Sequence, residues 1–171
     1  MLMQFKQHLN SISCIAALVV FPLSVANAAD LAANSAYAAI TTTQSYTTFV
    51  GPTPIDGLLV NLPPASAAYN TAIVTLSMPN LYLSMPTSTT SPMSAAIQLV
   101  APFAPGGVVS AYGGIGCDNA RVSTSGKKPI TIVISVPLGT AGQFAEGEWD
   151  STNGTVTTDT FASISAMLVR Q

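Results

Sequence analysis

A series of short apolar runs bounded by glycine or proline constrains the fold of this chain more than any other feature. These runs occupy residues 46–50, 58–62, 71–78, 94–101 and 106–117. Two later segments repeat apolar side chains at every second position: Ile130, Ile132, Ile134 and Val136, then Ala162, Ile164, Ala166 and Leu168. A period of two places such side chains on one face of a strand. The pattern predicts an all-β sandwich and no helix of ordinary length.

The last apolar run also carries information about assembly. Its opposite face consists of Ser163, Ser165 and Met167 and has no charge. Only 7% of the chain is charged, which is little for the surface of a soluble monomer. We therefore expect part of the surface to be buried between subunits.

The N-terminus has the features of an export signal. Lys6 precedes an apolar stretch at residues 12–23, and a small-x-small cleavage motif follows it. That stretch is shorter than the about 20 residues that span a bilayer. We expect a signal peptide over residues 1–28, a leader or edge segment over 29–44 and one domain over 45–171. The product would be secreted or periplasmic, with an uncleaved anchor helix as the less favoured alternative.

Cleavage after residue 28 would remove His8 and Cys14, leaving no histidine and Cys117 as the single cysteine. Catalytic Ser-His-Asp or Cys-His sites, histidine-containing zinc sites and an intrachain disulfide are then excluded. Cys117 is predicted to be a small buried apolar residue, with an interchain disulfide as the alternative. The net charge of −2 for the full chain argues against a nucleic-acid partner.

An acidic segment, EGEWDSTNGT at residues 146–155, contains the single tryptophan. Trp149 is predicted to fill the core, with stacking on a sugar ring as the alternative. Glu146, Glu148 and Asp150 alternate and should share one strand face, where we interpret them as solvated. A glycoside-hydrolase pair and a calcium site are the less favoured interpretations. The sequence therefore predicts neither an enzyme nor a bound metal or cofactor.

Two segments are predicted to be loops without strand pairing. Residues 79–92 are rich in Pro, Ser and Thr and are interpreted as one long loop, and residues 150–154 as a hairpin loop. In the second loop, Asn153-Gly154 would supply the positive φ of a tight turn.

A third polar segment, STSGKK at residues 123–128, is the strongest site candidate. Its hydroxyls and ammonium groups match the donors and acceptors that sugar hydroxyls need. A solvated loop without a ligand is the alternative. Tyr82, in a Ser/Thr-rich setting, is a further candidate contact residue.

Three motifs in this chain resemble the tumour-necrosis-factor-like (TNF-like) lectin domain at the N-terminus of a Burkholderia superlectin, a fucose-binding trimer. The first motif is FAEGEWDSTNGTVTTDTFASISAM at residues 144–167. The second is GC at 116–117 together with STSGKKPITIVISVPLG at 123–139, and the third is LSMPNLY at 76–82. The resemblance covers about three quarters of the chain. It implies a jelly-roll sandwich, a homotrimer, and a sugar site between subunits.

The resemblance also implies site residues. Tyr82 matches a sugar-contacting tyrosine, Thr124 and Ser125 match a Ser-Thr pair, and Lys127 and Asn153 take the places of two arginines. Lysine lacks the planar fork of arginine. Arg121 is close enough in sequence to replace a lost donor.

These observations predict a secreted lectin that recognises fucose-like or related glycans at sites between the subunits of a trimer. The alternative is a structural or adhesive coat subunit that has the same fold and no sugar site.

Overall fold

The computed structural model describes residues 35–85, 92–117, 124–159 and 161–171. These residues form strands and connecting segments and contain no helix. The strands are β1 (Ser35–Ala39), β2 (Gln44–Leu62), β3 (Thr71–Ser84), β4 (Met93–Ala101), β5 (Val109–Cys117), β6 (Lys128–Pro137), β7 (Gln143–Thr158) and β8 (Ser163–Val169). The prediction of an all-β fold is confirmed.

The strands pair antiparallel in two groups of four, ordered β1-β8-β3-β6 and β2-β7-β4-β5. The groups are joined where the end of β3, Leu81 to Ser84, pairs with the end of β7, Thr155 to Thr158. The result is a nearly closed, barrel-like arrangement consistent with a β-sandwich.

The core lies between the two groups, and the alternation in the sequence explains it. The predicted inward-facing residues of β6 are buried, and those of β8 lie on its buried face together with Ala162 just before it. Trp149 is fully buried and its ring centroid lies 4.9 Å from that of Tyr46, which confirms the core interpretation. Cys117 is partly buried and packs against the same core.

The glycine and proline residues of β2 were expected to separate two strands, and this is wrong. β2 is one 19-residue strand, and its register against β7 shifts three times. Gly51 and Gly57 adopt positive φ within two of these shifts. β2 pairs only with β7 in the part of the chain that the structure describes, so it can accommodate prolines as an edge strand.

The prediction of one long loop over residues 79–92 is also wrong in its first half. β3 continues through Pro79 to Ser84, with a register shift between Met78 and Leu81 that accommodates the proline. Residues 86–91 lie outside the described residues.

The predicted hairpin loop at residues 150–154 is instead part of β7, with an irregular register against β2 and β4. Gly154 has no positive φ. A Cβ atom there would lie 2.9 Å from the backbone oxygen of Ser84, so glycine is needed for the close approach of two strands. Thr152 supports the irregular register, since its Oγ1 accepts a hydrogen bond from the Gly154 amide at 3.2 Å.

The predicted signal peptide lies outside the described residues. Of the predicted leader or edge segment, Ser35 to Ala39 forms edge strand β1, which pairs with β8. In the described ranges, no helix could cross a membrane.

Candidate functional site

The end of β3 is covered by the polar segment that follows β5. Ser84 forms a β-bridge with Thr124. The Ser125 amide donates to the Leu83 carbonyl at 2.7 Å, and the Leu83 amide donates to Ser125 Oγ at 2.7 Å. Thr124 and Ser125 are therefore held beside Tyr82, which precedes Leu83 on β3.

Lys127 extends from this segment to the end of β7. Its Nζ donates a hydrogen bond to Asp159 Oδ2 in an ion pair. The hydrogen bond and charge of Asp159 raise the pKa of Lys127 above its usual value, and Tyr82 adds a smaller contribution in the same direction. Tyr82 therefore lies within electrostatic range of this ammonium group. The side chains of Lys127 and Asp159 remain 57% and 27% exposed.

Tyr82 belongs to a group of hydroxyl-bearing side chains on three neighbouring strands. The pairing of β2, β7 and β3 places Ser45, Thr157 and Tyr82 side by side, and Thr47, Thr155 and Ser84 side by side. We call these six residues the hydroxyl patch. They lie on the strand face opposite to Leu83 and Val156, which are fully buried, although Thr157 is itself only 4% exposed.

Hydrogen bonds within the hydroxyl patch orient its members. The hydroxyls of Ser45 and Thr157 are 2.8 Å apart, as are those of Thr47 and Thr155. A hydroxyl that takes part in one such bond keeps further capacity to accept or donate. The exposed and half-buried members of the patch can therefore interact with a hydroxyl-rich ligand.

Four of the six predicted site residues come together here: Tyr82, Thr124, Ser125 and Lys127. Arg121 lies outside the described residues. The side-chain amide of Asn153 is hydrogen-bonded to the protein backbone. Its Oδ1 accepts from the Ser94 amide at 2.6 Å and its Nδ2 donates to the Pro92 carbonyl at 2.8 Å. This pairing holds the start of β4 against β7.

Sequence reasoning identified Tyr82 but missed the other five members of the patch: Ser84 on β3, and Ser45, Thr47, Thr155 and Thr157 on β2 and β7. Their alternation in SYT at residues 45–47 and TVT at 155–157 was the available signal. Only the register between β2 and β7 shows that the two short motifs face the same way.

The acidic row forms a separate feature on the outer face of β7. Glu146, Glu148 and Asp150 share one face, as predicted, but they are half-buried and not freely solvated. Burial raises the pKa of Glu146. Burial, and then the charges of Glu146 and Asp150, raise that of Glu148. In the described part of the chain, no group of three or more His, Cys, Asp and Glu residues could hold a metal ion.

The fold and the patch define an all-β domain with a hydroxyl-lined surface site. The sequence model of the family described as Bc2l-C, N-terminal domain, matches residues 39–167, which is more than half of the chain. The chain belongs to this family, and the resemblance inferred from its motifs is confirmed. A comparison with curated proteins found no match.

Proposed function

We propose that this protein is a secreted lectin that binds fucose-like or related glycans at the site formed by Tyr82, Thr124, Ser125 and Lys127. The observation that carries the proposal is the continuity of this site with the hydroxyl patch. Membership of the Bc2l-C N-terminal domain family supports the proposal.

The chemistry of the site suits a sugar better than other ligands. A monosaccharide presents several hydroxyls, each able to donate and accept, on a partly apolar ring. The site offers serine and threonine hydroxyls, one ammonium group and the phenol of Tyr82. These groups supply both hydrogen-bond donors and acceptors, as recognition of neutral polar ligands requires.

The strand order also supports the jelly-roll and TNF-like part of the proposal. Pairing in the orders 1-8-3-6 and 2-7-4-5 is that of an eight-stranded jelly roll.

An uncharged surface on the β1-β8-β3-β6 group supports the proposed homotrimer. We call it the uncharged sheet face, and its residues are Ser35, Tyr37, Ala39, Ile73, Thr75, Ser77, Thr131, Val133, Ser135, Ser163, Ser165 and Met167. Tyr37, Val133 and Met167 are exposed in the single chain although they are large and apolar. Burying this face between three copies would remove apolar surface from water without burying a charge. Repetition of weak sites in the trimer would give avidity for glycan-coated surfaces.

The remaining parts of the proposal follow from the sequence. The signal-like N-terminus supports export, and the shortage of basic residues argues against a nucleic-acid partner. A non-enzymatic role is supported by the absence of histidine from the expected mature chain and by membership of the family.

A glycan array probed with the labelled protein tests this function. We expect signals for fucosylated or related glycans, weakened about tenfold in Lys127→Ala and Tyr82→Ala through loss of direct contacts. Lys128→Ala is the matched control, because Lys128 is an exposed neighbouring lysine without an ion pair to the described residues. An array without signals would favour the coat subunit, and equal weakening in all three variants would refute the site assignment.

A further inference from the structure

Phe161, in the connection between β7 and β8, combines two unfavourable properties. It has a φ of 79° and is the only non-glycine residue with positive φ among those the structure describes. Its side chain is also 76% exposed. A bulky residue rarely adopts this backbone conformation, which glycine or asparagine would adopt at lower cost. An exposed ring gains little from burial, so neither the backbone nor the core accounts for phenylalanine here.

Described residues before and after Phe161 form backbone hydrogen bonds to other segments. The Asp159 amide donates to the Asn80 carbonyl at 3.4 Å, and the Ala162 carbonyl accepts from the Ile40 amide at 3.0 Å. The side chain of Ala162 is fully buried. The chain is therefore bound to neighbouring segments two residues before and one residue after Phe161, whose side chain is exposed.

Phe161 is close along the chain to the Lys127–Asp159 ion pair. Phe161 follows Asp159 by two residues, so the chain places their Cα atoms within about 7 Å of each other. None of the described residues donates a hydrogen bond to Asp159 Oδ1, while Oδ2 binds Lys127. An exposed aromatic residue thus follows, two positions along the chain, a carboxylate that retains acceptor capacity.

We propose that Phe161 and Asp159 bind the sugar directly: the ring stacks on its apolar C–H face and Asp159 accepts from two of its hydroxyls. This inference rests on the proposed lectin function and adds two specificity-determining residues to it. The negative face of an aromatic ring attracts the slightly positive C–H groups of a sugar. Phe161 would favour glycans with an apolar C–H face, and Asp159 would favour those that have two neighbouring hydroxyls beside that face.

The test uses the full mature protein and a glycan that gives a signal with it on the array. Phe161→Gly removes the ring and relieves the backbone. We expect binding to weaken about tenfold, the loss of one stacking contact. The urea midpoint should be unchanged or higher, since glycine adopts positive φ freely. Phe161→Trp keeps a ring and should bind within about threefold of the wild type. Phe161→Asn, which also tolerates positive φ, should behave as the glycine variant.

For Asp159, the variant Asp159→Asn keeps the size of the side chain and should weaken binding about tenfold, since the amide cannot accept at both atoms. Phe161 variants that bind as the wild type does would overturn the role of the ring. If Phe161→Gly lowered both the urea midpoint and the affinity for the glycan, the ring would be structural, and its proposed role in binding would be overturned. Weakened binding in Lys127→Ala but not in Phe161→Gly and Asp159→Asn would refute this inference alone. Absence of glycan binding by the wild type would refute the proposed function itself.

Discussion

Lys127 forms an ion pair with Asp159 and so connects the segment before β6 to the end of β7. The pair lies at the surface beside Tyr82, where β3 passes from one group of strands to the other. Its position marks the part of the fold in which three distant stretches of sequence meet.

The ion pair should contribute little to folding. An exposed lysine gains little Coulomb energy in water and loses side-chain freedom when it is fixed. We expect Lys127→Ala and Asp159→Asn to keep a urea midpoint close to that of the wild type, measured by tryptophan fluorescence. A large fall in the midpoint would show that the pair is structural, and effects on glycan binding would then need another explanation.

Gly154 should be sensitive to substitution because of its distance to β3. The Cβ of alanine would meet the Ser84 oxygen at 2.9 Å and the Met85 sulfur at 3.2 Å. We expect Gly154→Ala to lower the free energy of unfolding by about 1–3 kcal/mol. Gly126→Ala is the matched control, since a Cβ there meets nothing within 4 Å, and it should be close to neutral. Equal effects of the two variants in urea denaturation would contradict the close approach of β3 and β7.

Trp149 should be the most costly core residue to truncate. Trp149→Ala is expected to lose about 3–5 kcal/mol of unfolding free energy, measured by circular dichroism in urea. Trp149→Phe should lose less than half of that. It keeps a ring and also removes an indole N–H that is buried without a partner in the described residues. A phenylalanine variant as unstable as the alanine variant would show that the N–H has a role in the fold.

Glu148 should make stability depend on pH in the acidic range. Its pKa is raised above the ordinary 4.5 by burial and by Glu146 and Asp150, so the folded state favours the neutral form. The folded state is therefore most stable with respect to this group below the ordinary pKa, where Glu148 is neutral. This stability is lost as pH rises through the raised pKa and the carboxylate forms. The stability of Glu148→Gln relative to the wild type should increase as pH rises from 3 to 7. The increase should be about 0.5 kcal/mol or less, because solvent screens the site. Thermal unfolding at several pH values would measure this, and a gain that shrinks with rising pH would contradict it.

The uncharged sheet face should control assembly. Val133 is 54% exposed in the single chain, so a charge there should leave the fold intact and prevent burial between copies. We expect Val133→Glu to convert a trimer to monomers in sedimentation equilibrium. Tyr112→Glu is the control, because Tyr112 is 61% exposed on β5, in the other group of strands. A wild type that sediments as a monomer, or a Val133→Glu variant that sediments as a trimer, would refute the interface.

The parts of the fold that could be predicted from the sequence are those that depend on local alternation. The inward face of β6 is visible because burial of one strand face imposes a period of two on its residues. Glycine is harder to interpret from sequence, because it occurs both in turns and where two strands approach each other closely. Gly154 belongs to the second kind, and only the position of Ser84 on another strand reveals this.

The candidate site could be predicted in part for a similar reason. Tyr82, Ser125 and Lys127 lie in motifs that resemble a known family, so sequence comparison identified them. Thr47 and Thr155 lie in no such motif. Their hydroxyls meet because β2 pairs with β7 in one particular register, which single-sequence patterns do not specify.

Amide chemical-shift mapping on the isotope-labelled protein, titrated with the glycan that the array selects, tests the central claim most directly. The account predicts saturable shifts concentrated at Tyr82, Ser125, Lys127 and Asp159, with little change on β4 and β5. Shifts centred on the acidic row of β7, or no saturable shifts with any glycan, would contradict it.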